Sequence, residues 1–246
     1  MKRATAALCT LVALAAAGAP AAGARNVRPV GATGPLGSER LSNERTVTRW
    51  ANPLRNAPIR TRPSGSSRRV ARLHALTEDG MPEVYLALRS RRARHRVWIR
   101  VRIPGRPNGR RGWVPRDALG HLHAVTTALR IDRVRSRATL RRRGHIAWRS
   151  PVGHGAPGMA TPAGRFYIRE RLDNRGGDPV YGPLAFGTSA YSALSDWPGG
   201  GVIGIHGTNQ PWLIPGRPSH GCVRVPNAAI IRLARIMPIG TPILIR

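Results

Sequence analysis

The apolar residues of this chain come in short runs that alternate with polar ones and stop at glycine or proline. In VWIRVRIP, residues 97–104, Val97, Ile99, Val101 and Ile103 fall on one side, and Trp98, Arg100 and Arg102 on the other. A period of two is that of a half-buried strand, because successive strand side chains point to opposite faces. With 28 glycines and 22 prolines among 246 residues to punctuate such runs, the chain is expected to be mainly β. One segment breaks the pattern. NAAIIRLARIM, residues 227–237, carries Ile230, Ile231, Leu233, Ala234 and Met237 at helical spacing, with Asn227 as the expected cap and Pro238 as the stop.

The N-terminus reads as an export signal over residues 1–24. Lys2 and Arg3 precede the apolar run ATAALCTLVALAAAG, and Ala22-Gly23-Ala24 offers a cleavage point before Arg25. An uncleaved anchor is the alternative. No later segment is apolar enough to cross a bilayer, so the mature chain, roughly 220 residues, is expected in the periplasm, the cell wall or outside the cell. Residues 25–45 are rich in Gly, Pro, Ser and Arg and read as a flexible linker. Residues 46–119 follow as a small β unit. There IRTRPS and GWV resemble short motifs of bacterial SH3-like barrels, which implies an accessory module ahead of a second β domain over residues 122–246.

Lys and Arg number 41 against 11 acids, for a formal net charge of +30, and Lys2 is the sole lysine. Such charge suggests nucleic acid, but the arginines are scattered along the chain without a nucleic-acid motif, and export argues against that partner. Anionic envelope polymers are the expected partners of the field instead.

Cys9 lies in the leader, which leaves Cys222 as the mature chain's cysteine. Exported proteins generally pair their cysteines or lack them, so a lone thiol points to chemistry or to a partner thiol, with an inert buried cysteine as the alternative. Taken as extended, SHGCVRV sets His220, Cys222 and Arg224 on one face and Gly221, Val223 and Val225 on the other. The Gly221 and Cys222 N–H groups would then face a developing oxyanion. An imidazole with pKa about 6.5 beside a thiol of about 8.5 can take its proton and hold the ion pair. His220 is one candidate. His206 is the other, sixteen residues upstream behind GTNQPWLIPGRP, a turn-rich loop whose Trp212 would cover the cleft. Zinc would need a further ligand that the motif lacks, so neither metal nor cofactor is expected.

HGT followed by SHGCVRVPN resembles the signature of the L,D-transpeptidases, cysteine enzymes that cross-link bacterial peptidoglycan. TPAGRFYI, GPLAFGTSAYS and GTPILI extend the resemblance over residues 122–246. It implies a β-rich catalytic domain with one late helix. It makes Cys222 the nucleophile and His206 the general base and acid, with the Gly207 carbonyl orienting the imidazole. His220 and Gly221 would shape the site, and Ser219, Arg224 and Trp212 would lie on the substrate side. Asn227 also fits the family, whereas the acid often found two positions later is Ala229 here. Peptidoglycan stem peptides would be the substrates. An L,D-carboxypeptidase, a protein-to-wall transferase and a non-catalytic wall-binding protein are the rival readings.

Overall fold

Hairpin corners are set by residues at positive φ. Arg94 (φ 51°) turns one strand pair and Gly144 (φ 86°) another, and glycine reaches such angles without the Cβ clash that other residues meet. A computed structural model describes residues 37–193 and 198–246. The expected signal segment and most of the expected linker lie outside them.

The first sheet has eight strands: β1 (Ser38–Arg40), β2 (Thr48–Ala51), β3 (Pro58–Arg60), β4 (Arg69–Arg72), β5 (Tyr85–Ala93), β6 (Arg96–Arg102), β7 (Arg111–Pro115) and β8 (His123–Val125). Their order is β4-β3-β7-β6-β5-β2-β8, with β1 also on β5. Ile59, Leu73, Tyr85, Ile99, Val101 and Val114 form its core. Residues 38–45 belong to this fold and not to a tether: β1 pairs with β5, and Leu41 is buried in the core. The second unit likewise starts near Thr127, since β8 pairs with β2.

The second sheet has ten strands: β9 (Thr127–Asp132), β10 (Arg137–Arg142), β11 (His145–Pro151), β12 (Gly153–Gly155), β13 (Gly164–Asp173), β14 (Leu184–Tyr191), β15 (Val202–His206), β16 (Gly216–Ser219), β17 (Val223–Arg224) and β18 (Pro242–Ile245). The order is β11-β10-β9-β18-β13-β14-β15-β17-β12-β16. Helix α1 (Asn227–Ala234) presses Ile230 and Leu233 into the core formed by Ile205, Val223, Phe186 and Ile243. The chain is therefore mainly β with one late α-helix among the described residues. The helix is shorter than its apolar pattern: Arg235 caps it, and Met237 still packs in the core beyond its end. No helix of the described residues is long and apolar enough to cross a membrane.

Tyr167, Val84 and Leu86 pack together between the sheets, and the Tyr167 hydroxyl donates to the Val84 carbonyl at 2.8 Å. Beside them Arg169 and Glu83, 2% and 3% exposed, make a two-pronged ion pair, with Arg169 Nε 2.9 Å from Glu83 Oε1. Arg169 also reaches Glu78 at 2.9 Å. Breaking one partner of a buried pair strands a charge, whereas replacing both by apolar groups removes the problem. Glu83→Ala should cost about 3–5 kcal/mol in urea unfolding, and Glu83→Leu with Arg169→Met should cost less than either single change.

Candidate active site

The site is built on the parallel pairing of β15 with β17, in which Ile205 faces Val223 and His206 faces Arg224. Strand alternation sends Ile203, Ile205, Val223 and Val225 into the core, each at most 2% exposed. Gly204, His206, Cys222 and Arg224 share the other face. His206 and Cys222 stand diagonally across the pair, and Gly204 occupies the corner between them. A Cβ built on Gly204 would lie 3.6 Å from the His206 ring and 3.8 Å from Cys222 Sγ. Glycine thus leaves the gap between ring and sulfur open, and its N–H donates to Sγ at 3.3 Å.

The cysteine motif is not one extended run. β16 pairs parallel to β12 and β17 antiparallel to it, so the chain bends through residues 220–222, with Gly221 at φ 127°. Ser219 is 3% exposed, and its hydroxyl donates to the Cys222 carbonyl at 2.6 Å while accepting from the Gly221 N–H at 3.2 Å. Ser219, expected on the substrate side, closes the bend from inside, and the Gly221 N–H, expected at the oxyanion, is engaged. Thr161, fully buried, donates to the Gly221 carbonyl at 2.6 Å and accepts from the Gly155 N–H at 2.9 Å. That is the physical role of the threonine in TPAG. His220 is exposed on the outside of the bend and away from the alternation that orders Cys222 and Arg224.

His206 is 3% exposed, and its Nδ1 lies 2.7 Å from the Gly207 carbonyl. Donation from Nδ1 to that oxygen defines a neutral ring whose Nε2 carries the lone pair. Burial, together with the Arg224 guanidinium opposite, pushes the His206 pKa down to about 4, against the Gly207 hydrogen bond. Burial pushes the partly exposed Cys222 thiol up, against the Gly204 N–H and the Arg224 charge. Desolvation penalises both charges, so burial shifts the two groups in the directions that disfavour the expected ion pair. Between pH 6.5 and about 4 the unfolded chain binds the extra proton. The stability contributed by neutral His206 is whole above pH 6.5 and is lost as pH falls toward about 4.

Several site residues escape the sequence patterns. Asn227 does not cap α1: Pro226 is the N-cap, and Asn227 Oδ1 accepts from the Thr208 N–H at 2.8 Å. A Cβ at Gly207 or Gly182 would lie 2.4 Å from that oxygen, so two glycines and an asparagine interlock behind His206. Tyr181 stands edge-on to the His206 ring, centroids 5.0 Å apart, and burial raises its pKa, with the Cys222 and Asp178 charges adding to the rise. It sits on a 3-10 turn, Pro179–Tyr181, capped by Asp178 accepting from Val180. The string DPVYG, with an acid before a proline and a glycine after, was the available signal. Arg224 Nη1 donates to Gln210 Oε1 at 2.9 Å, which ties the loop after His206 to the cysteine strand. Trp212, on the 3-10 turn Pro211–Leu213, is 74% exposed. From the first sheet, Asn108 exchanges hydrogen bonds with the Tyr191 backbone (2.8 and 2.9 Å), and Arg106 donates to the Ser192 and Gly200 carbonyls. These contacts hold the ends of the segment that leads into β15. Among the described residues no three His, Cys, Asp or Glu side chains gather as a metal site.

A mainly β domain that sets one thiol beside one imidazole across a glycine gap has the elements of a cysteine acyltransferase. Residues 126–245, just under half of the chain, match the family model of the YkuD L,D-transpeptidase catalytic domain. Over 95 residues the chain is 38% identical to the Bacillus subtilis protein that bears the name L,D-transpeptidase YkuD, covering 39% of this chain and 51% of that one. The Bacillus licheniformis protein of the same name is 36% identical over 91 residues, covering 37% and 48%. The chain thus spans about half the length of these curated relatives. A solved structure of Bdellovibrio bacteriovorus Bd1075 aligns over 50% of this chain and 47% of that one, at 28% identity and a TM-score of 0.40.

Two outcomes check this geometry. The alkylation rate of Cys222 should rise with pH to an inflection above the ordinary thiol value of about 8.5, and a reactive shoulder below pH 7 would mean a resting ion pair after all. Gly204→Ala meets only ordinary contact distances, so it should melt like wild type. Its methyl stands between ring and sulfur, and thiol alkylation should slow; an unchanged rate would refute the role given to the gap.

Proposed function

We propose that this chain is an exported L,D-transpeptidase that joins peptidoglycan stem peptides through a thioester on Cys222. The observation that carries the reading is the placement of Cys222 and His206 on either side of Gly204, with His206 held by Gly207 in the tautomer that leaves Nε2 free. The first sheet is read as an SH3-like accessory module, and the Lys2-Arg3 leader as the export signal.

His206 Nε2 takes the proton of Cys222 as Sγ attacks the carbonyl carbon of the donor's third residue. The S–C bond forms, and the oxyanion meets the Cys222 N–H, since the Gly221 N–H is bound to Ser219. The C–N bond then breaks, and the terminal D-alanine leaves with the proton from His206. That return is favoured because burial makes protonated His206 a strong acid. The amine of a second stem then attacks the thioester and gives a proton to the now neutral His206; the new C–N bond forms, the S–C bond breaks, and the departing Cys222 sulfur takes that proton back from His206. Splitting one acyl transfer this way lowers each barrier. Water would compete with the amine, and the loop tied down by Gln210 and Arg224 borders the cleft where exclusion matters. Arg224 and Trp212 are read as substrate contacts on that side.

Incubation with a defined tetrapeptide muropeptide should release D-alanine and give cross-linked dimers by mass analysis. Cys222→Ala should abolish both while its melting temperature stays near wild type. Turnover by that variant comparable to wild type would sink the mechanism. Release of D-alanine without dimers would assign the site to hydrolysis instead.

A further inference from the structure

The acyl-transfer chemistry leaves unused the outer face of the first sheet, where arginines oppose one another in register. Arg40 on β1 faces Arg89 on β5, and Arg89 faces Arg100 on β6, all three exposed. Neighbouring strands lie about 4.8 Å apart, and like charges directly opposite are destabilising. Arg91 and Arg96 continue the face, and Arg94 forms the turn between β5 and β6. Among the described residues none of these six arginines makes an ion pair with a carboxylate. Glu39 alternates to the other side, opposite Ser90.

A groove of about 470 Å³ runs between this hairpin and the loop of residues 63–66. Arg91, Arg94 and Arg96 line it opposite Ser64, Gly65 and Ser66, with Trp98 beneath. Arg94 has φ 51°, a conformation that favours glycine, asparagine or aspartate in a two-residue hairpin turn. Arg143 has the same φ at the turn between β10 and β11, so it is the place of Arg94 on the lip of the groove, beside Arg91 and Arg96, that gives its guanidinium a use here.

We propose that this groove binds a flexible phosphodiester polymer, a polyol-phosphate chain of the cell envelope. The Arg91, Arg94 and Arg96 guanidiniums, facing the paired hydroxyls of Ser64 and Ser66 across the groove, are donors of the kind that grip phosphate. A base-bearing strand fits less well, because single-strand binders stack bases on exposed aromatics and Trp98 is only 4% exposed. A bilayer fits less well too: the site is concave, and none of the exposed large apolar side chains lines it. A chain held here would keep the catalytic sheet beside the wall. The inference shares the export reading of the proposed function but not its chemistry, so binding is measured on the full chain carrying Cys222→Ala.

The probe is a poly(glycerol phosphate) chain, titrated at two salt concentrations. The triple variant Arg91→Gln, Arg94→Gln, Arg96→Gln should bind at least about tenfold more weakly, with a shallower salt dependence. A control that removes the same charge from the second sheet, Arg137→Gln, Arg142→Gln, Arg149→Gln, should change binding far less. Arg94→Gly should raise the melting temperature, by relieving the turn, and still weaken binding. Equal losses from the two triple variants would show a diffuse field without a site and overturn the proposal. So would groove-dependent binding to single-stranded DNA, or to anionic phospholipid vesicles, as tight as to the polyol phosphate.

Discussion

The register of β15 on β17 is the constraint on which the site rests. Setting Ile205 against Val223 places four apolar side chains in the core and leaves Gly204, His206, Cys222 and Arg224 together on the opposite face. A slip of one residue would exchange the two faces, taking isoleucine and valine out of the core and turning a histidine and an arginine into it. The hydrophobic core of the second sheet therefore enforces the geometry of the candidate site. Packing energy and chemistry select the same register.

Around that pairing, small polar residues fix the backbone. Thr161 and Ser219 each bond to a carbonyl of the 220–222 bend, and Asn227 holds the turn after His206. None of the three needs to meet substrate to matter. Each satisfies a backbone group that the bend or the turn would otherwise leave buried and unpaired, which costs about 1–3 kcal/mol per group. The resulting enclosure presses the imidazole and the thiol toward their neutral forms.

The two sheets meet through opposite kinds of contact. Tyr167, Val84 and Leu86 give an apolar seam, while Arg169 and Glu83 place a charged pair beside it. The loop between β6 and β7 extends this meeting to Tyr191, Ser192 and Gly200, next to the strand that carries His206. The first sheet thus contributes to the frame of the site as well as carrying its own arginine face.

Alternation and turn residues alone determined that the chain is mainly β with one late helix, because period two and period 3.6 are properties of local spacing. The linear motifs also singled out His206, Gly207 and Cys222. Other assignments failed where a side chain's partner is distant in sequence. Asn227 stands where a helix cap belongs, yet its oxygen is taken by Thr208, and Ser219 looks like a substrate contact until its hydroxyl is seen to close the bend. DPVYG signals the turn that carries Tyr181 but not its ring partner, and Gly204 carries no motif, since edge contact with a ring and an empty corner between two groups exist only once strands pair. Burial likewise shifts the imidazole pKa down and the thiol pKa up, which no spacing of residues encodes. What a residue is follows from sequence; what surrounds it, and hence its charge and its partner, was decided by the tertiary fold.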